Sequence, residues 1–334
     1  MKKKITILGG AGFIGHNMSL FFQQKGYKIQ IIDSLGVNNI KSKSYMVKSS
    51  KKIYNKILKN RLSLFKKNKL NLIEQDLKNF IKLKNNINKF NPNFIIHLAA
   101  VSHANISNKD PQYTFENSMI TLMNTLNVCR QLKNCHLIYF SSSMVYGEFK
   151  GRKVNENTVC NPIGIYGNLK LSGEMMVKSF SKIFNFPFTI VRPSALYGER
   201  CVSRRVGQIF IENALQNKDI IINGDGKDKL DFTYIKDLIN GVYKIVLNKN
   251  SKNQIFNLTY GKGRSIQDLI KILKKNFPKI NVKFSPREKF MPKRGGLSVS
   301  KARRLIGYKP KYTIEKGYQI YINWYKKFFN DGIF

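Results

Sequence analysis

With 334 residues, 42% of them hydrophobic and 12% aromatic, the chain has the material for one large globular unit or for a unit with a smaller lobe, and it is too apolar for a disordered segment. No apolar run reaches the roughly 20 residues that cross a bilayer, and "MKKKITILGG" leads straight into a strand pattern, so a cytoplasmic protein with no membrane partner is expected. The formal charge of +40, from 59 basic and 19 acidic residues, invites a polyanion. Lys, Asn and Ile, however, fill exchangeable positions along the whole chain, which is a compositional bias rather than one binding face, and no nucleic-acid partner is expected. Cys129, Cys135, Cys160 and Cys201 have no CxxC or His-paired spacing, so neither a metal site nor a disulfide framework is expected.

Taken in chain order, strand-like runs alternate with helix-like segments. "KITIL" reads as the first strand, followed by a glycine-rich turn and a helix from near Phe13; "YKIQIID" is the second strand. From Ser34 to Ile73 stand eleven Lys or Arg and no acid, with Ile53, Ile57, Leu58, Leu62, Leu64 and Phe65 at near-helical spacing. That stretch reads as one or two amphipathic helices with solvated lysine faces. "LNLIEQD", "NFIIHLAA", "HLIYFSSS" and "FTIVRPS" are the next four strands, and their continuous hydrophobicity fits strands covered on both faces. After Tyr197 the pattern loosens into short strands, Gly-rich turns and helices. The fold class is α/β: a Rossmann-type doubly wound parallel sheet over 1–197 and a smaller C-terminal α/β substrate-binding lobe over 198–334, with room for elements of the second part to return to the sheet.

"ILGGAGFIGHN" sets Gly9, Gly10, Gly12 and Gly15, with Phe13 and Ile14, between the first strand and a helix. A dinucleotide pyrophosphate needs bare backbone amides at a helix N-terminus, which this turn offers. Asp33 ends the second strand where a carboxylate receives ribose hydroxyls; an acid there repels a 2′-phosphate, and no arginine follows it directly, so NAD is expected rather than NADP. Asp76, beside Leu77, can accept from an adenine amino group, or cap the helix that "DLKNFIKL" begins, or do both. The small residues of "HLAA" (Leu98, Ala99, Ala100) leave room for a ligand at the carboxyl edge of the sheet.

"IYGNLKLSGE" places Tyr166 and Lys170 four apart, on one helix face. A phenol titrates near 10, and lowering that by roughly 3 units asks for about 4 kcal/mol in favour of the phenolate. A lysine one turn away and a positive nicotinamide ring both push in that direction. Of the three serines in "YFSSSMVYG", the residues alone do not say which acts with them, and hydroxyls satisfying a strand end are an ordinary alternative.

Together, "GGAGFIG", "HLAA", "SSSMVYG", "YGNLK" and "VRPSALYG", continued by "INGDGKDKLDFTYIKDL", "KRGGLSVSKARRLIGYKP" and "YINWY", resemble the extended short-chain dehydrogenase/reductase family, in its NAD-dependent nucleotide-sugar epimerase/dehydratase branch. The resemblance covers nearly the whole chain. It implies a nucleotide-sugar substrate, a homodimer, and Ser142, Tyr166 and Lys170 as the catalytic set. Ser142 is identified by standing four residues before the tyrosine of "VYG". Tyr166 and Lys170 also touch the cofactor, Ser141 lies near the nicotinamide, and Ser143 lines the pocket.

Further positions carried over by the resemblance are Asn117, whose expected glycine neighbour is Ile120 here; Arg294, as a diphosphate contact; and Arg204 or Arg205 of "RRVGQIF". His103 is an auxiliary group near the sugar. For each, an ordinary polar or solvated residue is the competing explanation. Arg192 is expected in a structural ion pair, and Leu230 stands where a basic residue is usual, which removes one diphosphate contact.

The resemblance leaves three reactions. An epimerase oxidises a carbinol and returns the hydride to the other face. A 4,6-dehydratase needs an additional base; family dehydratases resemble "TDE" or "TSE" at the positions of Ser142, Ser143 and Met144, and the thioether of Met144 cannot take a proton. A keto-reductase fits NADPH, against which Asp33 argues. A non-catalytic dinucleotide- or polyanion-binding module on the same fold is the alternative of another class.

Overall fold

The computed structural model describes residues 2–42, 51–102, 104–151, 153–287 and 292–330. All six strands read from the sequence form: β1 (Lys4–Leu8), β2 (Lys28–Asp33), β3 (Asn71–Glu74), β4 (Phe94–His97), β5 (His136–Phe140) and β6 (Phe188–Arg192). They pair in parallel in the order β6, β5, β4, β1, β2, β3, and a seventh strand, Gln254–Asn257, joins the β6 edge from the second half of the chain. β1 lies between β4 and β2, with Leu8 opposite both His97 and Ile32. The chain leaves β1 and β4 in opposite directions, so a crevice opens at their carboxyl ends, where doubly wound sheets bind ligands.

Alternation across the sheet separates two cores. Ile5, Ile7, Ile96, Ile138 and Val191 enter one hydrophobic cluster, while Leu8, Ile95, Leu137 and Ile190 enter the other. The first cluster continues without a break into the second half of the chain, through Phe210, Leu269, Tyr318 and Tyr325. The lobe itself is assembled from two-stranded pairs (Ile220–Asn223 with Val282–Ser285, and Lys229–Leu230 with Arg264–Ser265) and from the helices Val206–Leu215, Ile266–Asn276 and Ile314–Asn330. The helix Ile235–Leu247 does not stay with it: Tyr243 packs edge-on against Phe21 of the first helix, ring centroids 5.5 Å apart. None of the described helices is long and apolar enough to cross a membrane.

The basic segment forms the helix Lys51–Lys67 and buries Ile53, Ile57, Leu58 and Phe65, as its spacing requires. It is not a purely solvated basic face. Tyr54 is buried with its hydroxyl donating to Glu212 Oε2 at 2.9 Å, and Arg61 is 1% exposed.

Candidate active site

A single cavity of about 770 Å³ follows the carboxyl edge of the sheet into the lobe. Every site residue expected from the sequence lines it, except His103, which lies outside the described residues.

At one end is the glycine-rich turn. Gly9 has a left-handed backbone (φ +77°), and a Cβ there would stand 2.8 Å from the Ala99 nitrogen, so the turn lies directly on the end of β4. A Cβ on Gly15 would come within 2.5 Å of the Gly10 Cα, which is how the helix Phe13–Gln24 packs down onto its own turn. Gly12 caps that helix without a side chain, leaving first-turn amides for a ligand. Asp33 is buried; its Oδ2 accepts from Ala11 N at 2.9 Å and its Oδ1 from Leu35 N at 2.7 Å. Burial pushes its carboxyl upward, against the pull of those amides and of Arg61. An acceptor pair held this way beside bare amides fits a dinucleotide with a free 2′-hydroxyl. Asp76 also faces the cavity, but it is not a helix cap: its Oδ1 accepts from Lys78 N, and the helix Phe80–Phe90 starts later, capped by Asn79 onto Lys82 N at 3.1 Å.

The centre of the cavity is built by β5 and the helix Ile165–Phe184. Ser142 caps a short 3-10 turn, its Oγ accepting from Met144 N at 3.2 Å, and its hydroxyl is among the groups that lower the Tyr166 phenol. Tyr166, Lys170 and Glu174 are spaced by one turn each along one helix face. Lys170 donates to the Phe140 carbonyl at 2.7 Å; burial lowers it to about 8, with Glu174 opposing the fall. Glu174 is fully buried and takes two bonds from Arg192 (2.8 and 2.6 Å) and one from Ser141 Oγ (2.5 Å), which gives Arg192 its ion pair. Burial raises the Tyr166 phenol above its ordinary value, while Arg205, Ser142 and Arg294 pull it back down. The cations that lower the phenol therefore come from the second half of the chain, and Lys170, expected to lower it, is not among them: its ammonium is turned to the Phe140 carbonyl.

At the other end, Arg294 is half-buried, with its Nε buried and without a partner among the described atoms. Burial and the like charge of Arg205 lower it to about 10, against Asp228 and Tyr166. An unpaired guanidinium donor facing a cavity is a place for a ligand anion. Arg204 and Arg205 both line the wall; Arg204 N donates to Gln208 Oε1, and Arg205 Nη2 reaches Ser102 O at 2.5 Å. Leu230 adds apolar surface where a cation was missing. Asn117 donates to Tyr113 O at 2.8 Å from within a π-helical turn, Glu116–Ile120, and Ile120 points outward at 37% exposure, so no close helix packing occurs there. The residue that sequence reasoning missed is Arg61, which lines the cavity from the basic helix. The available signal was an arginine standing alone among ten lysines between Ser34 and Ile73.

The chain is similar in sequence to the UDP-glucuronate 4-epimerase of Thermodesulfobacterium geofontis, 27% identical with 96% of this chain and 95% of that one covered. It is also similar to the dTDP-D-glucose 4,6-dehydratase of Dictyostelium discoideum, 28% identical with 77% and 58% covered. In structure it is similar to the UDP-glucuronic acid 4-epimerase of Bacillus cereus in complex with UDP-glucuronic acid and NAD, with a TM-score of 0.86, 27% identity, and 97% of this chain and 99% of that one covered. The sequence model of the NAD dependent epimerase/dehydratase family matches residues 5–259, so the chain belongs to that family, with the extended short-chain dehydrogenase/reductase fold and NAD as its cofactor.

Proposed function

We propose that the protein epimerises a nucleotide-diphosphate sugar by oxidising one carbinol to a ketone and reducing it again from the other face. The observation that carries this reading over its family alternative is the distribution of acids. Among the described residues, the cavity is lined by three carboxylates: Asp33 and Asp76 at the cofactor end, and Asp228, which pairs with Arg287 at 2.9 Å. Met144 occupies the place beside the reactive centre where an elimination would need its base. Relatives named as 4-epimerases of UDP-sugars support the same choice and favour UDP as the nucleotide.

Tyr166, as phenolate, takes the proton of the sugar hydroxyl, and Ser142, which faces the same cavity, holds the same oxygen. NAD, when bound, supplies the hydride acceptor and then the donor. Lys170 keeps a positive charge below the phenol through its bond to Phe140 O, and Arg294 offers its unpaired donor to the diphosphate while the ketone turns over. Tyr166 then returns its proton to that same oxygen, once the ketone has turned its other face towards the cofactor.

We further propose a homodimer formed through the helices around Glu116–Ile120 and Ile165–Phe184, where Phe115, Ile120, Met123 and Met175 leave apolar surface outside. The place of the reaction would be the cytoplasm, where NAD and nucleotide sugars meet, and its product would feed cell-surface polysaccharide. Light scattering that gives one chain mass would remove the dimer.

The test of the reaction is incubation with NAD and UDP-, dTDP-, GDP- and CDP-sugars, followed by mass and NMR. A product of unchanged mass and inverted configuration is expected. Loss of water would establish the dehydratase instead, the reading favoured by the Dictyostelium discoideum relative.

A further inference from the structure

The basic segment has no part in the chemistry above, yet Arg61, in the helix Lys51–Lys67, is buried inside the molecule. Its Nη1 donates to the Ala11 carbonyl of the glycine-rich turn at 3.3 Å, and its Nε and Nη2 donate to the Arg200 carbonyl at 3.0 and 2.5 Å. Arg200 is tied to the same turn a second time. Its Nε donates to His16 Nε2 at 2.9 Å, and His16 Nδ1 lies 3.1 Å from the Gly12 carbonyl. A ring that accepts at Nε2 and donates at Nδ1 is neutral, and burial together with Arg61 and Arg200 keeps His16 well below its ordinary value. Two successive carbonyls of the turn are thus joined to one residue, whose own backbone is left-handed at φ +65°. A non-glycine residue holds that conformation where its surroundings impose it. Five residues later Arg205 begins the helix Val206–Leu215, faces the cavity and reaches Ser102 O.

We propose that Arg61 is a positioning residue of the active site: by seating Arg200 on the glycine-rich turn it fixes the run from Gly198 to Arg205 and so holds the Arg205 guanidinium in the wall of the cavity that Tyr166 also lines. The proposal rests on Tyr166 being the reactive phenol and not on which reaction follows. An arginine is required because one planar fork serves two carbonyls; a lysine presents a single point. Among the described residues, the groups around Tyr166 are Arg205 and Arg294 from the second half of the chain, Ser142 from the end of β5, Tyr139 within β5, and Lys170 on its own helix. Arg205 leads those that favour the phenolate.

The full chain, without substrate, is titrated by phenolate absorbance, and the Tyr166 signal is taken as the difference from the same chain carrying Tyr166→Phe. Arg205→Met is expected to move the Tyr166 midpoint up by about one unit, tenfold in proton affinity. Arg61→Met and Arg61→Lys move it in the same direction, and Arg61→Met combined with Arg205→Met moves it no further than Arg205→Met alone. A folded Arg61→Met chain that titrates like the parent, or two shifts that simply add, would overturn the proposal. A merely structural role would lower the melting temperature and leave the midpoint where it was. If Arg61→Met does not fold, Arg200→Met, which removes the tie to His16 and keeps the Arg200 carbonyl, is read against the same expectations. Because no turnover is involved, failure of the epimerase reading and failure of this one are separate results.

Discussion

At its cofactor end the cavity is made by neighbours in sequence: Gly9, Ala11, Gly12 and Gly15 share one turn, and Asp33 arrives on the adjacent strand, bonded back to Ala11. At its substrate end it is made by long side chains from remote places, with Arg205 at the head of one helix and Arg294 in a loop, while Arg61 of the basic helix, bonded to the Ala11 and Arg200 carbonyls, ties this end to the first. The first end depends on backbone shape, fixed once β1, β2 and β4 are in register. The second depends on the closure of the lobe onto the sheet. Changes of backbone should therefore damage the first end, and changes of charge and reach the second.

The largest effect is expected between the two ends, where they meet at the phenol. Tyr166→Phe should lower turnover by about a thousandfold and leave NAD affinity, measured by calorimetry, within about twofold; equal losses in both would show that the ends do not separate. Arg294→Ala should raise the nucleotide-sugar KM by about thirtyfold, the size of a charge-assisted hydrogen bond, with NAD binding unaffected. Gly9→Ala should do the reverse, weakening NAD about tenfold because its Cβ meets the Ala99 backbone, while a nucleoside diphosphate alone binds as before.

The pH dependence is a smaller effect. Lys170, lowered to about 8, carries its ammonium below that pH and loses it above, so the rate should fall as pH rises through about 8. Glu174→Gln, which removes the charge that opposes the lowering, should bring that fall to lower pH, and a fall unchanged in position would mean that Lys170 does not set it. The smallest effect belongs to Lys59→Gln, exposed on the same helix as Arg61, which should change unfolding free energy by less than about 0.5 kcal/mol.

The same contrast decides how much was legible in the sequence. The inner strands could be read because they are apolar runs buried on both faces, the edge strand β3 only from Leu72 and Ile73, and the glycine turn and Asp33 because their spacing is set by one strand–turn–helix unit. Tyr166 and Lys170 could be read because helical periodicity puts them together, and the same periodicity extends to Glu174. Asp76 misled as a cap because Asn79, three residues on, offers the same chemistry to the helix that forms. Arg61 was missed although it stands four residues after Ile57 and four before Phe65, on the apolar face of its helix, because the lysine-rich composition around it predicts solvated cations.

The edge strand Gln254–Asn257 hydrogen-bonds to β6, and the helix Ile235–Leu247 before it packs on the first helix of the chain. A cut at Tyr197 would therefore run through elements that pack on one sheet. A chain ending at Tyr197 would leave β6 as a bare edge and uncover one face of the sheet, inviting association instead of a free-standing cofactor unit. Exchange of substrate lobes between relatives would have to splice around residues 235–257, retaining them with the sheet, so that specificity travels as two separate inserts and not as a C-terminal block.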